Sequence, residues 1–97
     1  MNLKEILNQN KEVSTKVLFT SDLEKSNTIG LKIQAEGVLK EHASKTPALL
    51  ICIEGDVIYR DEKGAENRLK SGDLQEIEPM VKHEVRGLED SLLVLCK

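Results

Sequence analysis

Turn-forming residues recur about every ten positions from Lys11 to Lys97, and between them apolar residues repeat with a period of two. That pattern confines most of the chain to short strands. "VSTKVLF" is rich in β-branched residues, and "IGLKIQA" alternates Ile29, Leu31, Ile33 and Ala35 with smaller or polar neighbours. "ALLICIEG" is apolar on both faces until Glu54, as suits an inner strand covered on both sides. "DVIYRDEKGAENRLKSGD" reads as a hairpin, with turns at Asp61 to Gly64 and at Ser71 to Asp73. "LQEIEP", "KHEVRG" and "DSLLVLCK" supply further strands, broken by Pro79 and by "GLED". About eight short strands at this spacing predict an all-β sandwich or small barrel. Only residues 1–10 break the pattern. There Leu3, Ile6 and Leu7 stand at helical spacing, which predicts a short N-terminal helix or arm that must pack on the strands to persist.

Ninety-seven residues form one domain, 1–97, with room for a single core and no separate catalytic lobe. Any site must lie in or on that core. The 14 basic and 17 acidic residues are interspersed, net −3, and leave no basic stripe to neutralise phosphates, so nucleic acid is not an expected partner. No apolar run approaches the roughly 20 residues that cross a bilayer, and "MNLKEILNQNKEV" lacks the apolar core of a secretion signal. The expectation is a cytoplasmic protein without membrane contact. Cys52 and Cys96 both stand in apolar runs and read as buried reduced thiols. Phe19 and Tyr59 are the only aromatic rings, too few for a platform on which sugars or bases stack, and Tyr59 is expected to cap a sheet face.

Two segments carry the candidate chemistry: "HASKTPALLICIEG" and, after the hairpin, "GDLQEIEPMVKHEVRG". Together they resemble the paired motifs of the cupin family, over residues 37–97. The resemblance implies a small jelly-roll β-barrel. Anchored on Gly55, the first motif's two histidines and glutamate fall on His42, Ser44 and Ala48. Anchored on Gly72, the second motif's glycine and histidine slots fall on Met80 and His83. This chain is most similar to small cupins with a single histidine in the first motif.

The donor chemistry can be weighed independently of the family. A catalytic divalent ion takes about three protein ligands plus an open position, and two imidazoles bind weakly. With Ser44 and Ala48 in two of the four slots, no tightly held metal is expected. The candidate ions are zinc, nickel, manganese and iron; a third ligand could come from Cys52, which shares a strand face with Ala48, and its thiolate would favour zinc. Glu41 and Glu84 each neighbour a histidine and so face away. Met80 either narrows the barrel mouth or fills the core.

Three readings follow. In the first, the lumen binds a small molecule through His42 and His83, with Ser44, Cys52 and Met80 around it. In the second, the protein is a metal-dependent enzyme using the two histidines and a third ligand. In the third, it is a non-catalytic interaction protein. A homodimer is expected in each case, with the N-terminal helix and "VSTKVLF" at the interface, because a small barrel with apolar outer surface must cover it.

Overall fold

The computed structural model describes residues 1–97 except Glu24, and of Glu41 and His42 it describes only the backbone. After α1 (Leu3–Ile6) come β1 (Val13–Ser21), β2 (Ser26–Ile33), β3 (Val38–His42), β4 (Ala48–Glu54) and β5 (Asp56–Asp61). β6 (Glu66–Lys70), β7 (Leu74–Ile77), β8 (His83–Gly87) and β9 (Ser91–Cys96) complete the order. The strands form two antiparallel sheets, β1-β2-β9-β4-β7 and β3-β8-β5-β6, between which the chain passes repeatedly. This is the all-β sandwich that the strand pattern predicts, with the jelly-roll form that the resemblance implies. No helix among the described residues is long and apolar enough to cross a membrane.

Period-two alternation builds the core. Leu31, Ile33, Leu50, Cys52, Ile77 and Leu93 of the larger sheet meet Val57, Tyr59, Leu69 and Val85 of the smaller one. All are buried. Their burial removes most of the apolar surface of the inner faces from water, at about 25 cal/mol per Å².

The outer face of the larger sheet is covered in part by the N-terminal arm. Asn2 caps α1 by accepting from the Lys4 N–H at 2.9 Å. The helix rests over Gly30, where a Cβ would stand 3.1 Å from Leu3 Cδ1 and 3.2 Å from Leu7 Cδ1. A bare backbone at that point lets the arm sit close enough to bury Leu7.

The hairpin that follows β4 is fixed by two devices. Gly55 turns the chain with φ +112°, against Ser91, where a side chain would collide. Ser91 Oγ then accepts from the Asp56 N–H at 2.9 Å and donates to the Glu89 carbonyl at 2.8 Å. Across the β5–β6 ladder, the buried Asp56 carboxylate accepts from Arg68 Nε at 2.9 Å. The guanidinium fork holds the Asp56 carboxyl below its ordinary range, through its hydrogen bonds first and its charge after the opposing effect of burial.

Candidate functional site

One end of the sandwich gathers the end of β3, the start of β8 and the end of β5. In the ladder of the smaller sheet, His83 on β8 stands opposite position 42 on β3 and opposite Asp61 on β5. Directly opposed residues share a sheet face. The placement of position 42 depends on an irregularity in β3. Leu39 pairs with Val85, and the next pair is His42 with His83, so β3 spends one residue more than its partner over that step. This bulge reverses the alternation of β3. Without it, position 41 would oppose His83. The side chain of His42 itself lies outside the described residues.

His83 is buried, and its Nδ1 donates to the Val81 carbonyl at 3.1 Å. In the neutral imidazole that bond assigns the proton to Nδ1 and the lone pair to Nε2. Tyr59 stacks on the His83 ring, with centroids 5.8 Å apart and planes inclined by 27°. Tyr59 therefore lies in the core beneath the site, and does not cap a sheet face as its sequence position predicts. Its hydroxyl donates to Asp61 Oδ2 at 3.3 Å. Burial, then the Asp61 carboxylate, pushes the phenol up to about 12. Asp61 is in turn held by its own hairpin, because Oδ1 accepts from the Lys63 N–H at 2.9 Å and the Ala65 N–H at 3.0 Å. Its carboxylate is engaged in closing the β5–β6 turn.

Ser44 and Met80 are brought together on the rim. The Met80 N–H donates to the Ser44 carbonyl at 2.7 Å, joining the loop after β3 to the loop before β8. Met80 has φ +65°, so the slot that a glycine would occupy keeps the left-handed backbone that glycine favours. Its side chain is 65% exposed and neither fills the core nor lies within it. Cys52 lies elsewhere. It shares the inner face with Ala48, as parity predicts, but lies four residue steps further along the extended strand, about 13 Å. At its end of the sandwich the Cys52 N–H donates to the Asp73 carbonyl at 2.9 Å. Burial, followed by the charges of Asp73 and Asp56, pushes its thiol up. Such a thiol is a poor thiolate donor.

Between the sheets a cleft of about 210 Å³ is lined by Thr15, Ile29, Leu31, Leu39, Leu95 and Lys97. A larger open groove of about 530 Å³ runs past Pro47, Leu49, Glu76, Pro79 and Cys96, and His83 does not line it. Sequence reasoning missed Asp61 and the cleft residues. Asp61 reads as a turn former, and nothing in the sequence reports which strand stands beside it.

No protein-family model matches the sequence, and no curated protein matches it. Solved structures do. A cupin superfamily protein from Desulfitobacterium hafniense superposes with a TM-score of 0.81 at 13% identity, over 92% of this chain and 78% of that one. A cupin-2 domain containing protein from Shewanella frigidimarina gives 0.81 at 16% identity, over 100% and 92%. The chain has the cupin fold. A conserved protein of unknown function from Streptococcus pyogenes shares that fold, with a TM-score of 0.83 at 11% identity over 99% and 82%. At these identities the likeness establishes the cupin fold and leaves the chemistry to the residues of each chain.

Proposed function

We propose that this cupin-fold protein binds a small organic molecule at the His83 end of its lumen, with the imidazoles of His42 and His83 as polar anchors. The observation that carries the reading is the register: a bulge in β3 sets position 42 opposite a buried, ring-stacked His83. A buried imidazole held by Val81 and Tyr59 keeps its orientation, so little entropy is lost when a ligand group meets it.

The donor set does not suit a tightly held divalent ion. Ala48 offers no ligand atom, and Ser44 offers only a neutral hydroxyl on the rim. Asp61 is committed to its turn and to Tyr59, Glu78 is paired with Lys63 at 2.6 Å, and Cys52 is buried at the far end.

The test has two arms, each comparing the wild type with the His42→Ala/His83→Ala double variant. A small-molecule panel followed by thermal unfolding is expected to yield ligands that raise Tm in the wild type alone; a ligand at 100 times its Kd stabilises by about 2.7 kcal/mol. Calorimetry with zinc, nickel, manganese and iron is expected to give no stoichiometric binding at low micromolar Kd. Such binding, lost in the double variant, would replace this reading with that of a metal-dependent enzyme.

The assembly reading rests on β1. This nine-residue strand forms one edge of the larger sheet, with Val17 55% and Phe19 67% exposed. A long edge carrying exposed apolar residues pairs readily with another strand, and a second copy in a two-fold dimer supplies one. Light scattering at micromolar concentration is expected to give the dimer mass, and Phe19→Glu the monomer mass. A monomeric wild type would remove this part of the proposal.

A further inference from the structure

The cleft between the sheets ends beside the two histidine positions. Ile29 stands opposite Leu95, and Leu31 opposite both Thr15 and Leu93, so these residues share the inner face of the larger sheet. Beyond Leu95 the backbone of Lys97 exchanges two hydrogen bonds with Asn27, which carries the β2–β9 pairing to the end of the chain shown. That end of β9 lies at the histidine end of the sandwich, because Cys96 pairs with Leu49 at the start of β4, and β4 is entered from the Ser44 loop that leaves position 42. On the smaller sheet Leu39 lines the cleft opposite Val85, two residue steps along β8 from His83, about 7 Å. The cleft therefore runs from the histidine end inward, toward Leu31.

Its wall is branched aliphatic, from Ile29, Leu31, Leu39 and Leu95, while Thr15 and Lys97 are the exposed residues of the lining. Neither aromatic ring of the chain lines it. Such a wall gains from burying methylenes and gives a planar ring nothing to stack on. At roughly 30 Å³ for each water-sized group, 210 Å³ holds about seven carbons. Charge at the histidine end restricts the polar group. Asp61 stands directly opposite His83 and shares its sheet face, so its carboxylate repels an anion held at the imidazoles. A neutral imidazole both donates and accepts, and a hydroxyl matches it on both counts without charge.

From these observations we infer that the lumen ligand is an aliphatic alcohol of about seven carbons, its hydroxyl at the histidine pair and its chain along Leu39 against Ile29 and Leu95. The inference rests on the lumen-binding reading and adds the ligand class. The histidines hold the head and the cleft takes the chain, so the two ends are read by different resonances.

The probe is 1-heptanol, followed by methyl and imidazole resonances of the full chain, with 1-butanol, 1-nonanol and heptanoate as comparisons. Saturable shifts of the Ile29, Leu39 and Leu95 methyls and of the imidazoles are expected, with one shared Kd. Affinity is expected to rise about fourfold per methylene from butanol to heptanol and to level off at nonanol, when the cleft is full. Heptanoate is expected to bind about tenfold more weakly than heptanol. Leu39→Phe, which fills the cleft, is expected to abolish the methyl shifts and the dependence on chain length; if that variant does not fold, the wild-type series decides alone. Equal affinity for heptanol and heptanoate would refute the uncharged head, and a gain that continues through nonanol would refute the cleft as the seat of the chain. Imidazole shifts with silent cleft methyls would overturn the inference and leave lumen binding standing. Cleft methyls that move while the imidazoles stay silent would remove the histidine anchor from both readings.

Discussion

Replacing Tyr59 by phenylalanine removes one hydroxyl and leaves the ring against His83, so the change isolates the phenol beneath the site. At pH 7 the loss is the bond to Asp61, which at 3.3 Å is long for a hydroxyl on a carboxylate. Asp61 keeps two backbone N–H donors and is not stranded, so the variant should be less stable by about 1 kcal/mol. Alkaline solution reverses the order. The phenol titrates at about 12 when folded against an ordinary value of 10.0. With the folded value raised, the stabilisation is fully present below the unfolded value and is lost as pH rises through the folded one. Between pH 10 and 12 the wild type should therefore lose about 1.4 kcal/mol per pH unit that the variant does not lose. By pH 12 this extra loss reaches about 2.3 kcal/mol, which leaves the variant the more stable by about 1.3 kcal/mol, and the two stability curves cross at about pH 10.7. Urea unfolding of both proteins at a series of pH values measures the difference directly, since other titrating groups are common to the pair. Parallel curves through pH 10 to 12 would refute the account of Tyr59 as a buried, carboxylate-facing phenol.

Other sites make narrower predictions. Met80→Gly should raise stability by about 0.5–1 kcal/mol, because φ is +65° and the exposed side chain loses little packing; a lowered urea midpoint would contradict it. Ser14 Oγ is buried with no hydrogen-bond partner among the described residues, so Ser14→Ala should stabilise by about 1 kcal/mol in the same assay. The Asp56 carboxyl is held below its ordinary value, so its stabilisation is present above the unfolded value and lost as pH falls through the folded one. Arg68→Met should destabilise the protein at pH 7 and flatten that acid limb, and an unchanged acid transition would argue against the pair.

The strand pattern was legible because burial of one sheet face imposes a period of two on the residues themselves. Leu31 and Ile33, Leu50 and Cys52, and Val57 and Tyr59 all fall inside as that period requires. The turns at Asp61 to Gly64 and Ser71 to Asp73 were legible for a local reason as well, since their side-chain and backbone preferences act within a few residues. The N-terminal helix appears where Leu3, Ile6 and Leu7 predict it, though as a single short turn of Leu3–Ile6 whose seat over Gly30 no local signal announces.

Local pattern could not fix what passes between strands. Tyr59 looks like a sheet cap because its neighbours in sequence are a polar turn, whereas the packed sheets enclose it against His83. Cys52 has the right parity to join Ala48 and the wrong distance along the strand to join His83, a difference that periodicity does not express. The sequence by itself determined the strand pattern, the turns and the residues available as donors, because those properties belong to single residues and their near neighbours. Only the tertiary structure decided the β3 bulge, the opposition of position 42, His83 and Asp61, and the cleft from Thr15 to Lys97, because register is a relation between segments that are far apart along the chain.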